Sequence, residues 1–309
     1  MGGSTPAAVR RLSDTLLPMA EIRGVLTAMV TPFGADGGLD EAGCRRLARH
    51  LVENGSHGLV LSGTTGEAPT MSDDEKLALF RAVRDELGDE ATLILGTGSN
   101  DTRHTVELTK AAAEAGADAA LVVTPYYNKP NRAGLAAHYG AVSEVGIPIV
   151  LYNIPSRTAL NIPPELLAEL GRLPNVVAVK QANDEELGPI EGLEVLAGND
   201  GVFGRTIEFG GAGGILVSSH WVGPQMREMW DAGQGGELER LREIDAGLRP
   251  IYEATTVAGP APIPVKAVLR RLGVIESDTV RLPLVPVTEE QLQAIRPALE
   301  AAGILVAAG

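Results

Sequence analysis

Short apolar runs of strand type recur along the chain, and segments with helical spacing separate most of them. The runs are rich in Val, Ile, Leu and Ala, as in "GLVL" and "VVAV", which is typical of strands buried on both faces. The intervening segments, such as "DEAGCRRLARHLVENG", place apolar residues at helical intervals. This alternation predicts a parallel sheet, because parallel strands need a crossover segment between them.

Eight such runs begin near residues 24, 57, 92, 119, 147, 176, 193 and 213. Eight units in roughly 200 residues is the number expected for a closed barrel. We therefore predict an α/β fold, a (β/α)8 TIM barrel over residues 21–223, preceded by a tail over 1–20. A helical region over 224–309 is expected to pack on the barrel. An open doubly wound sheet is the alternative, but "TPFGADGG" after the first run lacks the G-x-G-x-x-G turn typical of it.

Turn residues set the expected limits of two helices. Asp40 and Ser72 lie where N-caps are expected, and Gly55 and Gly88 lie where C-terminal caps are expected.

Charge and cysteine content restrict the class of function. A formal net charge of −14 opposes binding to nucleic acid, whose phosphates would be repelled. It also means that an anionic substrate must be held by local cations or hydroxyl groups. No apolar run reaches the ~18–20 residues of a membrane span. The single cysteine, Cys44, cannot form an intramolecular disulfide, so we expect a cytoplasmic protein.

Polar or glycine-rich clusters follow the apolar runs, as in "SGTTGE", "GTGSN", "TPYYN", "YNIPSRT" and "KQAND". In a barrel these strand ends meet at one mouth, where active sites lie. The side chains expected there are Thr64, Thr65, Tyr126, Tyr127, Tyr152, Arg157 and Lys180.

Lys180 is the residue that most strongly suggests chemistry. It follows the apolar run Val176–Val179 directly, and the chain has only five lysines against 21 arginines. A solvated strand end is the simpler interpretation of a lone lysine. Partial desolvation, however, favours the neutral, nucleophilic amine that a lysine needs to form a Schiff base with a carbonyl substrate.

The neighbouring motifs supply groups that fit this chemistry. "GTTGE" is either a tight turn or a cradle in which the Thr64 and Thr65 hydroxyls and backbone N–H groups hold a carboxylate. Tyr152 could transfer protons beside a Schiff-base lysine. Arg157 could hold a second carboxylate with two hydrogen bonds.

Motifs for other chemistries are missing. The sequence has no H-E-x-x-H, C-x-x-C or P-loop, and its five histidines show no ligand spacing. "FGGAGGILV" is glycine-rich but precedes a strand instead of a helix. We therefore expect neither a metal nor a nucleotide cofactor.

Taken together, the motifs resemble the dihydrodipicolinate synthase / N-acetylneuraminate lyase family. The resemblance covers roughly residues 22–302 and depends on "TAMVTPF", "GTTGEAPT", "GTGSN", "TPYYNKP", "YNIPSRT", "VVAVK", "PIPVKAVLRRLGV" and "RLPLVPVT" in order. It is strongest to the members that condense pyruvate with aspartate semialdehyde in the diaminopimelate–lysine branch. No cofactor is then needed, since pyruvate is held as an imine on lysine.

The resemblance implies four catalytic residues. Lys180 resembles the lysine that condenses with pyruvate, and Tyr152 resembles the tyrosine that donates and accepts protons. Thr64 resembles the threonine that links this tyrosine to a third hydroxyl. Tyr127 resembles the residue with that third hydroxyl, which crosses a tight dimer interface into the neighbour's site. A homotetramer, formed from two tight dimers, is the assembly implied.

The resemblance also implies the binding residues. Thr65 would bind the pyruvate carboxylate, and Arg157 the carboxylate of aspartate semialdehyde. Gly198 and Ile215 fall where backbone lines the pyruvate pocket.

Two positions depart from the family pattern: Gln181 stands where an acid is common, and Asn199 replaces the first Asp of Gly-Asp-Asp. These departures put recognition of the second substrate in question. Where lysine-sensitive relatives have an acid this chain has His104, and where they have histidines it has Asp73 and Lys76. We therefore expect weak or absent inhibition by lysine.

Two other functions stay open on the sequence. A sister aldolase could cleave sialic acid or a 2-keto-3-deoxy sugar acid, although Arg157 and "TPYYN" argue against a polyol substrate. A non-catalytic barrel could sense a keto acid, which the complete set of Lys180, Tyr152, Thr64 and Tyr127 makes a poor explanation.

Overall fold

A computed structural model describes residues 22–304, and in it eight parallel strands close into a barrel in the order of the sequence. The strands are β1 Gly24–Ala28, β2 Gly58–Leu61, β3 Thr92–Gly96, β4 Ala119–Val123, β5 Ile149–Asn153, β6 Val176–Gln181, β7 Glu194–Ala197 and β8 Gly213–Leu216. Each lies within one of the eight predicted runs. The predicted α/β barrel is therefore confirmed.

Helices surround the barrel and continue beyond it. They are α1 Glu41–Glu53, α2 Asp73–Leu87, α3 Thr102–Glu114, α4 Arg132–Ser143, α5 Pro155–Thr158, α6 Pro164–Leu170, α7 Phe203–Glu208, α8 Ser219–Gln234, α9 Leu238–Ala254, α10 Pro262–Arg271 and α11 Glu289–Ala301. The β6–β7 connection differs from the regular alternation, because its helical part is a single 3₁₀ turn, Asp184–Glu186.

Local capping explains where the first helices begin and end. The Asp40 side chain accepts a hydrogen bond from Gly43 N at the start of α1. Ser72 and Glu75 form a reciprocal capping box at the start of α2. Gly55 follows α1 with a φ of +100°, and Gly88 ends α2 with a φ of +55°. These backbone angles favour glycine. The caps predicted at Asp40, Ser72 and Gly88 are confirmed, whereas the C-cap of α1 is Asn54, one residue before the predicted Gly55.

The strands are buried on both faces, as their composition predicted. Apolar side chains including Leu26, Val60, Ile94 and Leu196 fill the barrel interior. Other strand residues, such as Leu59 and Leu93, pack outward against the helices. Alternation along each strand thus places one set inside the barrel and the next set under the helical layer.

The C-terminal region follows the last strand of the barrel. The boundary predicted at residue 224 falls inside α8, the helix that follows β8. Val222 has non-helical backbone angles and Pro224 follows it, so α8 is kinked next to the predicted boundary. The helical region beyond the barrel is formed by α9, α10 and α11. The predicted tail over 1–20 lies outside the described residues.

A buried ion pair joins this C-terminal region to the barrel. Lys266 of α10 donates a hydrogen bond to Glu67 at 2.5 Å, and both side chains are almost fully buried. Burial lowers the pKa of Lys266, and the Glu67 charge opposes that shift. Removing one partner of such a pair typically costs about 3–5 kcal/mol, because the other charge is left buried and uncompensated.

Arg281 attaches the segment after α10 to the same place. Its guanidinium pairs with Glu75 of α2 and donates to the carbonyl oxygens of Gly37 and Thr70. The C-terminal region is therefore held to the barrel by oriented charges as well as by apolar packing. Across residues 22–304, no helix combines the length and apolar composition needed to cross a membrane.

Candidate active site

Lys180 and Tyr152 lie side by side at the carboxyl ends of their strands. They are register partners in the parallel pair formed by β5 and β6. The Lys180 Nζ atom lies 4.3 Å from the centroid of the Tyr152 ring, and Lys180 is only 5% exposed. The amine therefore faces the barrel mouth at a largely desolvated position, and not bulk solvent.

A cavity of about 520 Å³ opens at this point. Six of the eight residues predicted for the site are in its wall: Thr64, Thr65, Tyr152, Arg157, Lys180 and Gly198. Its size is suited to small organic substrates, and its wall combines apolar surface with a few polar groups. The geometry brings a nucleophilic amine, a phenol and two hydroxyl groups to one small chamber.

The other two predicted residues lie apart from this wall. Ile215 is fully buried in β8, and Val217, two residues further along, lines the cavity instead. Tyr127 is 89% exposed and lines neither this cavity nor its neighbour. Its φ of +70° is left-handed, which is unusual for a tyrosine. Within a single chain, the phenol of Tyr127 is thus not part of the site.

Arg157 lies in the short helix α5, at the rim of the cavity. Thr158 fixes the end of α5, because its hydroxyl donates to the carbonyl of Ile154. Within residues 22–304 no Asp or Glu side chain forms an ion pair with Arg157. Its guanidinium is therefore available for a carboxylate of a substrate.

A second cavity, of about 560 Å³, adjoins the first and shares Thr64, Tyr152, Ile154 and Arg157 with it. Asp73, Lys76 and His104 line its outer part. Asp73 accepts hydrogen bonds from Lys76 at 3.0 Å and from His104 at 2.6 Å. Burial acts in the opposite direction, but these two contacts hold the pKa of Asp73 below its ordinary value.

Asp200 is a cavity residue that was not among the predicted site residues. It is 8% exposed and accepts hydrogen bonds from the backbone N–H groups of Val217 and Ser218 and from the Ser218 hydroxyl. Burial raises its pKa, whereas these hydrogen bonds and the Lys180 charge act to lower it. The available signal was its place in the Gly-Asn-Asp segment that follows β7, where the family pattern has Gly-Asp-Asp.

The C-terminal region also forms part of the cavity wall. The residues concerned are Tyr252, Thr255, Thr256, Gly259, Pro260 and Ala261, from the end of α9 and the segment before α10. Sequence reasoning assigned this region to packing alone. Nothing in its helical periodicity indicates which of its ends closes over the barrel mouth.

Comparison with known proteins agrees with this geometry. The Dihydrodipicolinate synthetase family model matches residues 21–302. This chain belongs to that family. The resemblance predicted from the motifs is confirmed.

Relatives in the Dihydrodipicolinate synthetase family are similar over nearly their whole length. The 4-hydroxy-tetrahydrodipicolinate synthase of Symbiobacterium thermophilum is 45% identical over 289 residues, which is 91% of this chain and 98% of the relative. Among solved structures, dihydrodipicolinate synthase from Acinetobacter baumannii, complexed with pyruvate, has a TM-score of 0.88 and 34% identity, and the match covers 92% of this chain and 100% of that one. The enzyme from Cyanidioschyzon merolae with lysine bound has a TM-score of 0.86 and 36% identity, with 92% and 99% covered.

The two departures from the Dihydrodipicolinate synthetase family pattern have different structural positions. Gln181 points away from the cavity and is fully buried, where its side-chain oxygen accepts hydrogen bonds from Asn153 and from Asn183 N. Asn199 lies in the cavity wall, and its amide donates to Asp184. A direct effect on substrate recognition is therefore restricted to Asn199.

Proposed function

We infer that this chain is a lyase of lysine biosynthesis that condenses pyruvate with L-aspartate 4-semialdehyde to give 4-hydroxy-tetrahydrodipicolinate. The observation that carries this inference is the desolvated amine of Lys180, which lies against the Tyr152 ring in a cavity lined by two adjacent threonines. The synthases that resemble the chain over almost its full length support the same reaction.

The first step would form an imine on Lys180. The amine attacks C2 of pyruvate to give a carbinolamine, which loses water as protons move to and from the Tyr152 hydroxyl. Loss of a proton from the pyruvate methyl carbon then gives an enamine. Because Tyr152 and Lys180 are register partners, the phenol lies beside the atoms that exchange these protons.

The second step would join the two substrates. The enamine carbon attacks the aldehyde carbon of the semialdehyde, and the new oxyanion takes up a proton. The amino group of the semialdehyde then attacks the imine carbon, which closes the ring and releases the Lys180 amine. The product contains every atom of the two substrates except those of one water molecule.

Recognition of two carboxylates fits the cations and hydroxyl groups of the site. We assign the pyruvate carboxylate to the Thr65 side, with backbone near Gly198, and the semialdehyde carboxylate to Arg157. Thr65, Gly198 and Arg157 all lie in the wall of the Lys180 cavity. Such local recognition is needed because the chain has a net charge of −14, which repels anions at longer range.

This mechanism needs no cofactor, because lysine itself activates the keto acid. Within residues 22–304, no three His, Cys, Asp or Glu side chains are grouped as metal ligands. We propose that the protein acts in the cytoplasm on small metabolites, and that it binds neither nucleic acid nor membrane.

Turnover of both substrates tests this function directly. Pyruvate and aspartate semialdehyde are supplied with a reductase that consumes the product, and the rate is compared with cleavage of sialic acid and of 2-keto-3-deoxy sugar acids. We expect condensation to exceed sugar-acid cleavage by at least two orders of magnitude in kcat/KM, which corresponds to about 2.7 kcal/mol of preference. Faster cleavage of a sugar acid would instead identify the sister aldolase.

We propose that the chain works as a homo-oligomer, a tetramer of tight dimers, in which Tyr127 completes the neighbour's site. The support is that Tyr127 is 89% exposed and outside its own chain's cavities. We expect that inactive Tyr127→Phe and Lys180→Ala chains, unfolded together and refolded as mixed assemblies, regain activity. A mixed dimer then has one site that contains both Lys180 and an intact Tyr127.

The same two variants refolded separately and then combined without exchange are the control. Native mass spectrometry shows whether mixed assemblies have formed. If they have, and the activity of the co-refolded sample does not exceed the summed activities of the separate samples, a site shared between chains is ruled out.

We expect that lysine inhibits this chain weakly or not at all, although the related enzyme from Cyanidioschyzon merolae was solved with lysine bound. In the second cavity Asp73 is the only carboxylate in the lining, and it is already paired with Lys76 and hydrogen-bonded to His104. The Lys76 ammonium would also repel the side chain of an effector lysine. The initial rate at increasing lysine concentration provides the measurement. Half-inhibition below 1 mM, which corresponds to a binding free energy stronger than about −4.1 kcal/mol, would contradict the prediction.

A further inference from the structure

Glu67, the last residue of "GTTGE", lies next to the threonines but turns away from the cavity. Its backbone N–H donates to the carbonyl of Thr64, and Ala68 N donates to that of Gly63, so the motif forms a closed turn. Glu67 has a φ of +58°, in the left-handed region that a glutamate rarely adopts. Such a conformation persists only where the surroundings fix it.

The surroundings fix Glu67 through its carboxylate. One oxygen accepts a hydrogen bond from Lys266 Nζ at 2.5 Å, and the other accepts one from Arg281 N at 2.9 Å. Both donors belong to the C-terminal region, about 200 residues later in the chain. The Glu67 side chain thus attaches the catalytic turn to a distant segment of the chain, and the Thr31 hydroxyl donates to the Gly66 carbonyl of the same turn.

Lys266 is itself held from several directions. It donates a second hydrogen bond to the carbonyl of Thr279 at 2.8 Å, and its Nζ lies 4.2 Å from the centroid of the Phe33 ring. The Arg281 guanidinium also lies against this ring, at 4.1 Å. Because its partners cannot easily move, Lys266 is a fixed point to which the Glu67 carboxylate is drawn.

We propose that Glu67 is a positioning residue, which acts through its ion pair with Lys266 to hold Thr64 and Thr65 at the pyruvate end of the cavity. It touches no substrate, and its effect is on where the two hydroxyl groups stand relative to Lys180. This inference rests on the proposed function, in which Thr65 binds the pyruvate carboxylate and Thr64 belongs to the proton relay.

Shortening the side chain tests the proposal, since Glu67→Asp keeps the charge but can reach Lys266 only if the turn moves. We expect the KM for pyruvate to rise roughly tenfold or more and the rate of borohydride-trapped adduct formation to fall by a similar factor, because small displacements of catalytic groups have large effects on rate. The KM for aspartate semialdehyde should change much less.

Glu75→Gln is the control, because Glu75 pairs with the guanidinium of Arg281 in the same C-terminal segment but is not in the turn. The glutamine can still form the capping box of α2. Both variants are expected to lose thermal stability, but only Glu67→Asp should change pyruvate KM, trapping rate and amide hydrogen exchange across residues 63–68. A Glu67→Asp chain that is less stable yet matches the parent in all three would overturn the proposal.

A double variant keeps the test independent of a buried unpaired charge. Glu67→Gln with Lys266→Met removes both charges at nearly constant volume, so folding should be preserved. We expect the borohydride-trapped pyruvate adduct to form more slowly, and the amides of the turn to exchange faster, than in the parent. Rates equal to those of the parent would overturn the proposal. Absence of any adduct in the parent would instead contradict the proposed function, while amide exchange would still report on the turn.

Discussion

Lys180→Ala should abolish formation of the reduced pyruvate adduct and lower kcat by about 10³-fold or more, because the covalent route is lost entirely. The side chain lines the cavity, so trimming it enlarges a space that already exists and should leave the fold intact. Intact-mass measurement after incubation with pyruvate and borohydride is the assay. Peptide mapping then locates the adduct in the parent chain.

The mapping matters because the structure contains a second buried lysine. Lys266 is fully buried, but its Nζ is committed to Glu67 and Thr279. It should therefore remain unmodified. Lys110→Ala, at an exposed position of α3, is the control and should keep parental activity. An adduct mapped to Lys266, or one retained by Lys180→Ala, would contradict the assignment of the nucleophile.

Tyr152→Phe should keep the aromatic ring beside Lys180 but lower turnover by about 10²–10⁴-fold, the usual range for a lost general acid–base group. The ring contact at 4.3 Å does not need the hydroxyl, so the amine should stay in place. We expect adduct trapping to become slower without disappearing. Kinetics of single-turnover trapping, compared with steady-state turnover, separates these two effects.

Tyr139→Phe provides the matched control for this substitution. Tyr139 is a fully buried tyrosine on α4 that lines neither cavity. Loss of its hydroxyl should leave turnover unchanged. Equal losses in the two variants would indicate that packing, and not proton transfer, explains the effect at Tyr152.

The barrel could be predicted because its strands carry a local signal. Each strand is a short run of apolar residues, and the connections have helical periodicity, so neither requires knowledge of distant contacts. Lys180 could be singled out for a similar reason, since it is a charged residue directly after an apolar run. Its neighbours followed from the rule that strand ends meet at one mouth of the barrel.

Other features could not be predicted because they depend on contacts between distant segments. Lysines are seldom fully buried, and only the packing of α10 against the "GTTGE" turn reveals that Lys266 is. The same limit applies to Thr255 and Thr256 in the cavity wall. By contrast, the outward direction of Gln181 could have been predicted, because successive side chains along a strand alternate between its faces.

The segment over residues 255–261 has a consequence for how substrate range could diverge. It borders the same chamber as Lys180 but belongs to a connection between α9 and α10, outside the strands and their turns. Replacements there can change the shape of the far wall while the register of β5 and β6 stays as it is. New acceptor aldehydes could thus be explored by exchanging one short connector, with the imine chemistry inherited unchanged.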